Sequence, residues 1–127
     1  MKEDTLLLRQ IHPYFVQADQ ISSLAFATSQ AFRPTPKDIN LLSVYNGNKF
    51  TPEASHKHFT EMNNKSCGVL GLTVAECKGE GLASFENNDP FDGHAVIDFN
   101  NLSKGQIDKK AKKLKSIAQT RGWLFRN

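Results

Sequence analysis

Apolar residues in this chain come in short runs broken by polar or proline-bearing turns, and only once as a long helical stripe. Thr5-Leu6-Leu7-Leu8-Arg9-Gln10-Ile11 is stopped by His12-Pro13. Proline disfavours the α conformation in the residue before it, so this run predicts a first strand. Leu41-Leu42-Ser43-Val44-Tyr45 predicts another, closed by the turn chemistry of Asn46-Gly47-Asn48. Ser66 to Cys77 is the longest apolar run, with Leu70, Leu72 and Val74 on one parity and Cys67, Val69, Gly71, Thr73, Ala75 and Cys77 on the other. Apolar or small groups on both faces predict one central strand covered on both sides. Leu82 to Phe85 predicts a short returning strand and His94 to Phe99 a further one.

Two helices are expected. Thr51-Pro52-Glu53 is a start signal, with a capping threonine, a proline at the first helical position and an acid at the positive end of the dipole. That helix should run to about Met62, end at Asn63-Asn64 and lie half exposed, because Ala54, Phe59 and Met62 are its few apolar residues. Ser103 with Gln106 forms a capping box, and Ile107, Ala111, Leu114, Ile117 and Ala118 then share one face. Gly122 ends this second helix, and Trp123-Leu124-Phe125 follows as a terminal strand or a packed tail. Ile21 to Phe32 fits a strand or a short helix equally. Tyr14 to Gln20 reads as loop, Pro34 and Pro36 exclude helix, and Lys37 to Asn40 reads as a turn. The expectation is a single α+β domain over residues 1–127. It has a mixed or antiparallel sheet of about five or six strands, with the amphipathic C-terminal helix packed on one face.

Composition supports this and adds little. A chain of 127 residues with 39% hydrophobic residues and nine phenylalanines is large enough for one core with many plain aromatic rings. No apolar run approaches bilayer length, so no membrane partner is expected. Met1-Lys2-Glu3-Asp4 is mixed in charge and leads into only three leucines, which makes a secretory signal unexpected and the cytoplasm the default location. Cys67 and Cys77 would lie roughly 33 Å apart on one extended strand. That is too far for a disulfide, so reduced thiols are expected.

Charge is divided unevenly. Residues 101–127 hold eight Lys or Arg and one acid, while residues 1–100 hold eight and twelve. The basic segment either docks an anionic partner, an acidic protein or a nucleic acid, or is simply a solvated helix face. Lys109, Lys112 and Lys113 are its candidate contacts. These lysines spread around the helix rather than forming a stripe, and no nucleic-acid motif accompanies them.

Metal and nucleophile signatures are missing. His56 and His58 are two apart on an expected helix and point in different directions, so no metal site is assigned. There is no G-x-S-x-G, and no glycine loop opens a helix. Two arginines remain. Arg9 lies within the first strand and Arg33 between Phe32 and Pro34. Such rigidly held guanidinium groups match phosphates or carboxylates. Two readings of each stay open. Arg9 either faces a ligand or points outward from an edge strand. Arg33 either grips a ligand or pairs with Asp38 or Asp98 to hold its loop. His12, Ser43 and Tyr45 could add a donor, a hydroxyl and a stacking ring to a ligand site.

This order of parts resembles the ADP-ribosyltransferase-like folds, in particular the small RES-type NAD⁺-consuming bacterial toxins. The likeness runs through Leu7-Leu8-Arg9, Phe32-Arg33-Pro34, Leu42-Ser43-Val44-Tyr45, the Thr51-Pro52-Glu53-Ala54 helix and the apolar run Cys67 to Cys77, over residues 6–77. It implies NAD⁺ as a substrate, with no other cofactor assigned. Arg9 and Arg33 would hold the pyrophosphate, Tyr45 would stack on nicotinamide and Ser43 would orient the ribose. Glu53 or Glu61 would be the catalytic residue that stabilises the positive charge developing as nicotinamide departs. The chain departs from the family at Ala31-Phe32, where a glycine pair is expected, and neither glutamate sits clearly at the family's catalytic position. The other functional class is a non-catalytic binding protein that uses the basic helix.

Overall fold

The computed structural model describes residues 1–16, 28–34 and 39–127. Six strands form one sheet: β1 (Leu6–Ile11), β2 (Leu41–Asn46), β3 (Gly68–Thr73), β4 (Ser84–Glu86), β5 (His94–Asp98) and β6 (Phe125–Arg126). Their order is β4-β5-β2-β1-β3-β6, and every pairing is antiparallel. Of the two sheet types expected, the antiparallel one is present. The helices are α1 (Pro52–Glu61), α2 (Val74–Gly79) and α3 (Lys104–Arg121).

Strand parity divides the core. Leu7 and Ile11 of β1, Leu42 and Val44 of β2, Leu70 and Leu72 of β3, and Ala95 and Ile97 of β5 are buried with Ala111, Leu114 and Ala118 of α3. Phe32 joins them from a 3₁₀ turn, Ser29–Phe32, that packs against α3. On the opposite face Leu8, Tyr45 and Val69 meet Phe59 of α1 together with Phe50, Phe91, Leu124 and Phe125. The amphipathic stripe of α3 therefore covers one face and α1 sits on the other.

Both expected helix starts are present. The Thr51 hydroxyl accepts from Ala54 N, and Ser103 and Gln106 bond reciprocally at the start of α3. The expected strand Ser66–Cys77 is corrected: β3 ends at Thr73, and α2 begins at the next residue. The cause is a second capping box, in which Thr73 Oγ1 accepts from Glu76 N (3.1 Å) while Glu76 Oε1 accepts from Thr73 N (2.7 Å). The strand-based separation of the cysteines falls with that correction, although both are buried and unbridged. The short strand expected at Leu82–Phe85 is shifted to Ser84–Glu86, and Phe125–Arg126 is the terminal strand.

β1 lies between β2 and β3, so Arg9 is not on an edge strand. The β1–β2 register holds at Leu7↔Asn46 and Leu8↔Tyr45 only, and beyond it the strands separate. Arg9 spans the gap. Its Nη1 donates to the carbonyl of Ser43 (2.9 Å) and its Nε to that of Ala31 (2.8 Å). Arg33 pairs with Asp108 of α3 at 3.1 Å rather than with Asp98. The expected pairing with Asp38 lies outside the described residues, as do residues 17–20 of the expected loop Tyr14–Gln20, most of Ile21–Phe32 and half of the turn at Lys37–Asn40.

Candidate functional site

The cleft opens where β1 and β2 separate, on the face that carries α1. Cross-strand register puts its polar groups together. Tyr45 sits opposite both Leu8 and His94, and Ser43 opposite Val96. Opposed residues share a face, so Ser43, Tyr45 and His94 all rise from the same side, with Ser43 and His94 on a diagonal. Phe59 and Met62 close one wall from α1 and its end, Pro90 and Phe91 close the other from the loop after β4, and Gln10 and Arg9 line the floor. The cleft's volume is about 210 Å³.

Each polar group is held. His94 is 9% exposed. Its Nδ1 lies 2.8 Å from the carbonyl of Asn87, and its Nε2 3.2 Å from Ser43 Oγ. A carbonyl can only accept, so Nδ1 carries a proton, and in the neutral ring Nε2 is left with the lone pair that accepts from the serine hydroxyl. The backbone repeats the clasp, with Asn87 N donating to the carbonyl of His94 at 2.9 Å. Gly93 sets up this strand start: its φ is +98°, and a Cβ there would run into the Phe50 ring. Both facts exclude larger residues.

Tyr45 is buried under Phe50 and Phe91, with ring centroids at 4.9 and 5.1 Å. Burial pushes its phenol up to about 12, so it keeps its proton at neutral pH. Its hydroxyl shares a 2.8 Å hydrogen bond with His58 Nδ1. Gln10, at the floor, donates to Ser55 of α1 and accepts from Ser66, which ties α1 to the sheet (2.8 and 3.0 Å).

The residues singled out in the sequence are dispersed. Ser43 and Tyr45 meet in the cleft, and Arg9 reaches its floor. Arg9 belongs by parity with Leu7 and Ile11 on the α3 face, and two of its nitrogens serve backbone carbonyls. Arg33 is engaged with Asp108 on that same face. His12 is exposed and caps the 3₁₀ turn Pro13–Phe15 by accepting from Tyr14 N. Glu53 and Glu61 are exposed at the two ends of α1, outside the cleft lining. Lys109, Lys112 and Lys113 are exposed on α3. Lys112 borders a shallow hollow with Lys115, Thr28, Ser29 and Ser116.

Phe59, Phe91 and His94 line the cleft and His58 bonds the Tyr45 hydroxyl, and none of them was anticipated as a site residue. His94 begins an apolar strand after a glycine, the one sequence signal that a polar ring stands at a strand end. Phe91 gave none, because its place depends on how the 87–93 loop folds back. No group of three or more His, Cys, Asp or Glu side chains suited to a metal occurs among the described residues, and no helix among them is long and apolar enough to cross a membrane. Compared with protein-family models, with curated proteins and with solved structures, the chain matches none.

Proposed function

We propose that the chain is a small-ligand-binding protein whose site is this cleft, and that it takes a planar nitrogen heterocycle. The observation that carries the reading is the convergence of Ser43, Tyr45 and His94 with the apolar walls of Phe59, Met62 and Phe91 in one opening. Apolar walls with a few convergent polar groups are what small-molecule sites use to hold and orient a ring. Phe91 and the Met62 thioether offer ring-edge and sulfur contacts. The protonated Tyr45 hydroxyl and the Ser43 oxygen offer hydrogen bonds to ring substituents. A volume of about 210 Å³ suits a single ring with a short substituent.

Nicotinamide is such a ring, and NAD⁺ stays in the class through it. ADP-ribosyl transfer asks for more: a carboxylate beside the ring and arginines on the pyrophosphate. The ring contacts have support in the cleft's geometry, and the transfer chemistry has none there. A second reading rests on the exposed lysines of α3, whose hollow beside Thr28 and Ser29 suits an anionic partner such as an acidic protein or a nucleic acid.

Titrating ¹⁵N-labelled protein with nicotinamide and with NAD⁺, while following free nicotinamide, tests the first reading. Saturable shifts at Ser43, Tyr45 and His94 with none at Arg33 are expected. Nicotinamide release would make the protein an NAD⁺-consuming enzyme. Unshifted cleft resonances at millimolar ligand would remove the reading and leave α3 as the functional surface.

A further inference from the structure

We infer that Ser43 is a nucleophile activated by His94, which makes the cleft an acyl-transfer site for small esters. The inference rests on the cleft being the ligand site and adds a reaction to it. Its basis is a chain of three groups: Ser43 Oγ, His94 Nε2 at 3.2 Å, and the carbonyl of Asn87 at 2.8 Å from Nδ1. Nucleophile, base and orienting acceptor stand in the order that serine activation requires.

The exposures fit those roles. Ser43 is exposed along the cleft, whereas His94 is buried behind it, so a substrate reaches the hydroxyl before the ring. The Asn87 carbonyl fixes the tautomer that leaves Nε2 unprotonated and facing the hydroxyl, the form a general base needs. A separation of 3.2 Å is at the loose end for such a pair and within what unliganded sites show.

The step balances within the site. Ser43 Oγ bonds to the ester carbonyl carbon as its proton passes to His94 Nε2. The tetrahedral adduct collapses with loss of the alcohol, which takes that proton. Water then adds to the acyl-serine and gives a proton to Nε2, and the carboxylic acid departs as Ser43 regains its hydrogen. The sum is ester plus water giving acid plus alcohol, with no redox partner.

The test uses p-nitrophenyl acetate, whose leaving group asks little oxyanion stabilisation, and an alkyl fluorophosphonate with the modified residue mapped by mass spectrometry. Wild-type protein should carry the phosphonate on Ser43. Ser43→Ala should lose it, and His94→Gln should label about 100-fold more slowly, the usual contribution of a general base. Both variants are checked for an intact melting transition. If His94→Gln fails to fold, adduct mapping in wild type and Ser43→Ala decides alone. No adduct at Ser43, adducts only on lysine or tyrosine, or undiminished labelling in a folded His94→Gln would overturn the inference. Nicotinamide titrated into the same samples separates the two claims. Binding without an adduct removes the nucleophile only, and an adduct without binding removes the ring site only.

Discussion

Tyr45 ties the cleft to the core beneath it. Its ring is packed by Phe50 and Phe91, and its hydroxyl is shared with His58. The folded phenol ionises at about 12 against an ordinary value of 10.0. Because the folded value is raised, the stability it reflects is complete below the unfolded value and is lost as pH rises through the folded one. Absorbance titration should therefore show one tyrosine ionising near 12 in the native protein, and a Tyr45→Phe variant should lack that transition. Phe91 lines the cleft from a loop rather than from a strand. Phe91→Ala should weaken ring binding several-fold, about 1 kcal/mol, in the same NMR titration. Gly68 is constrained differently. A Cβ there would stand 2.7 Å from the carbonyl oxygen of Phe125 and 2.8 Å from the Trp123 ring. Gly68→Ala should cost roughly 1–3 kcal/mol in a urea melt, because backbone and an indole must move together.

Among the elements, α2 is the instructive one. Six residues are too few to be a stable helix alone, so its start must be specified locally. Thr73 and Glu76 do this by satisfying each other's backbone donors. Thr73→Ala should destabilise the protein by about 1 kcal/mol, read from its urea midpoint, with the sheet unchanged by circular dichroism. The same box explains why the apolar run Ser66–Cys77 misleads. Apolar or small residues continue on both parities through Val74, Ala75 and Cys77, but a capping threonine with glutamate three residues on ends the strand in the middle of that pattern. In α3 the box and the apolar stripe agree, and there the helix is legible from the residues alone.

Across the whole molecule, Glu76 connects three elements. Arg121, in the last turn of α3, bonds both Glu76 carboxylate oxygens and the carbonyl of Gly71 on β3. Partial burial works against the Glu76 charge. The hydrogen bonds from Arg121 and the Thr73 backbone, with the Arg121 charge, outweigh it and hold the carboxyl below its ordinary value. A lowered folded value means stability that is present above the unfolded value and lost as pH falls through the folded one. Melting temperature should accordingly drop on acidification below about pH 4.5. Glu76→Gln, which can keep the cap, should flatten that acid limb. A wild-type limb no steeper than the variant's would remove the ion pair as its cause. If the lysines of α3 dock an anionic partner, affinity should fall steeply with salt, and a salt-independent partner would have to bind elsewhere.

The fold class, the two main helices with their caps and most strands were decided locally, and short-range patterns in the residues carry that information. Leu41–Tyr45, Thr51-Pro52-Glu53 and the stripe from Ile107 to Ala118 each state their own structure. The sequence also singled out Ser43 and Tyr45, because a hydroxyl and a ring at alternate strand positions must share a face. It could not show what they face. His94 joins Ser43 through antiparallel register across 51 positions of chain, and Phe91 and Phe59 reach Tyr45 from a loop and a helix on either side. A charge inside an apolar strand needs a partner or an outward path, and the residues around Arg9 leave open which it has. Only the separation of β1 from β2 reveals that two backbone carbonyls take up its nitrogens. Local pattern determined the elements. Long-range register, which depends on the packing of both sheet faces at once, decided the site.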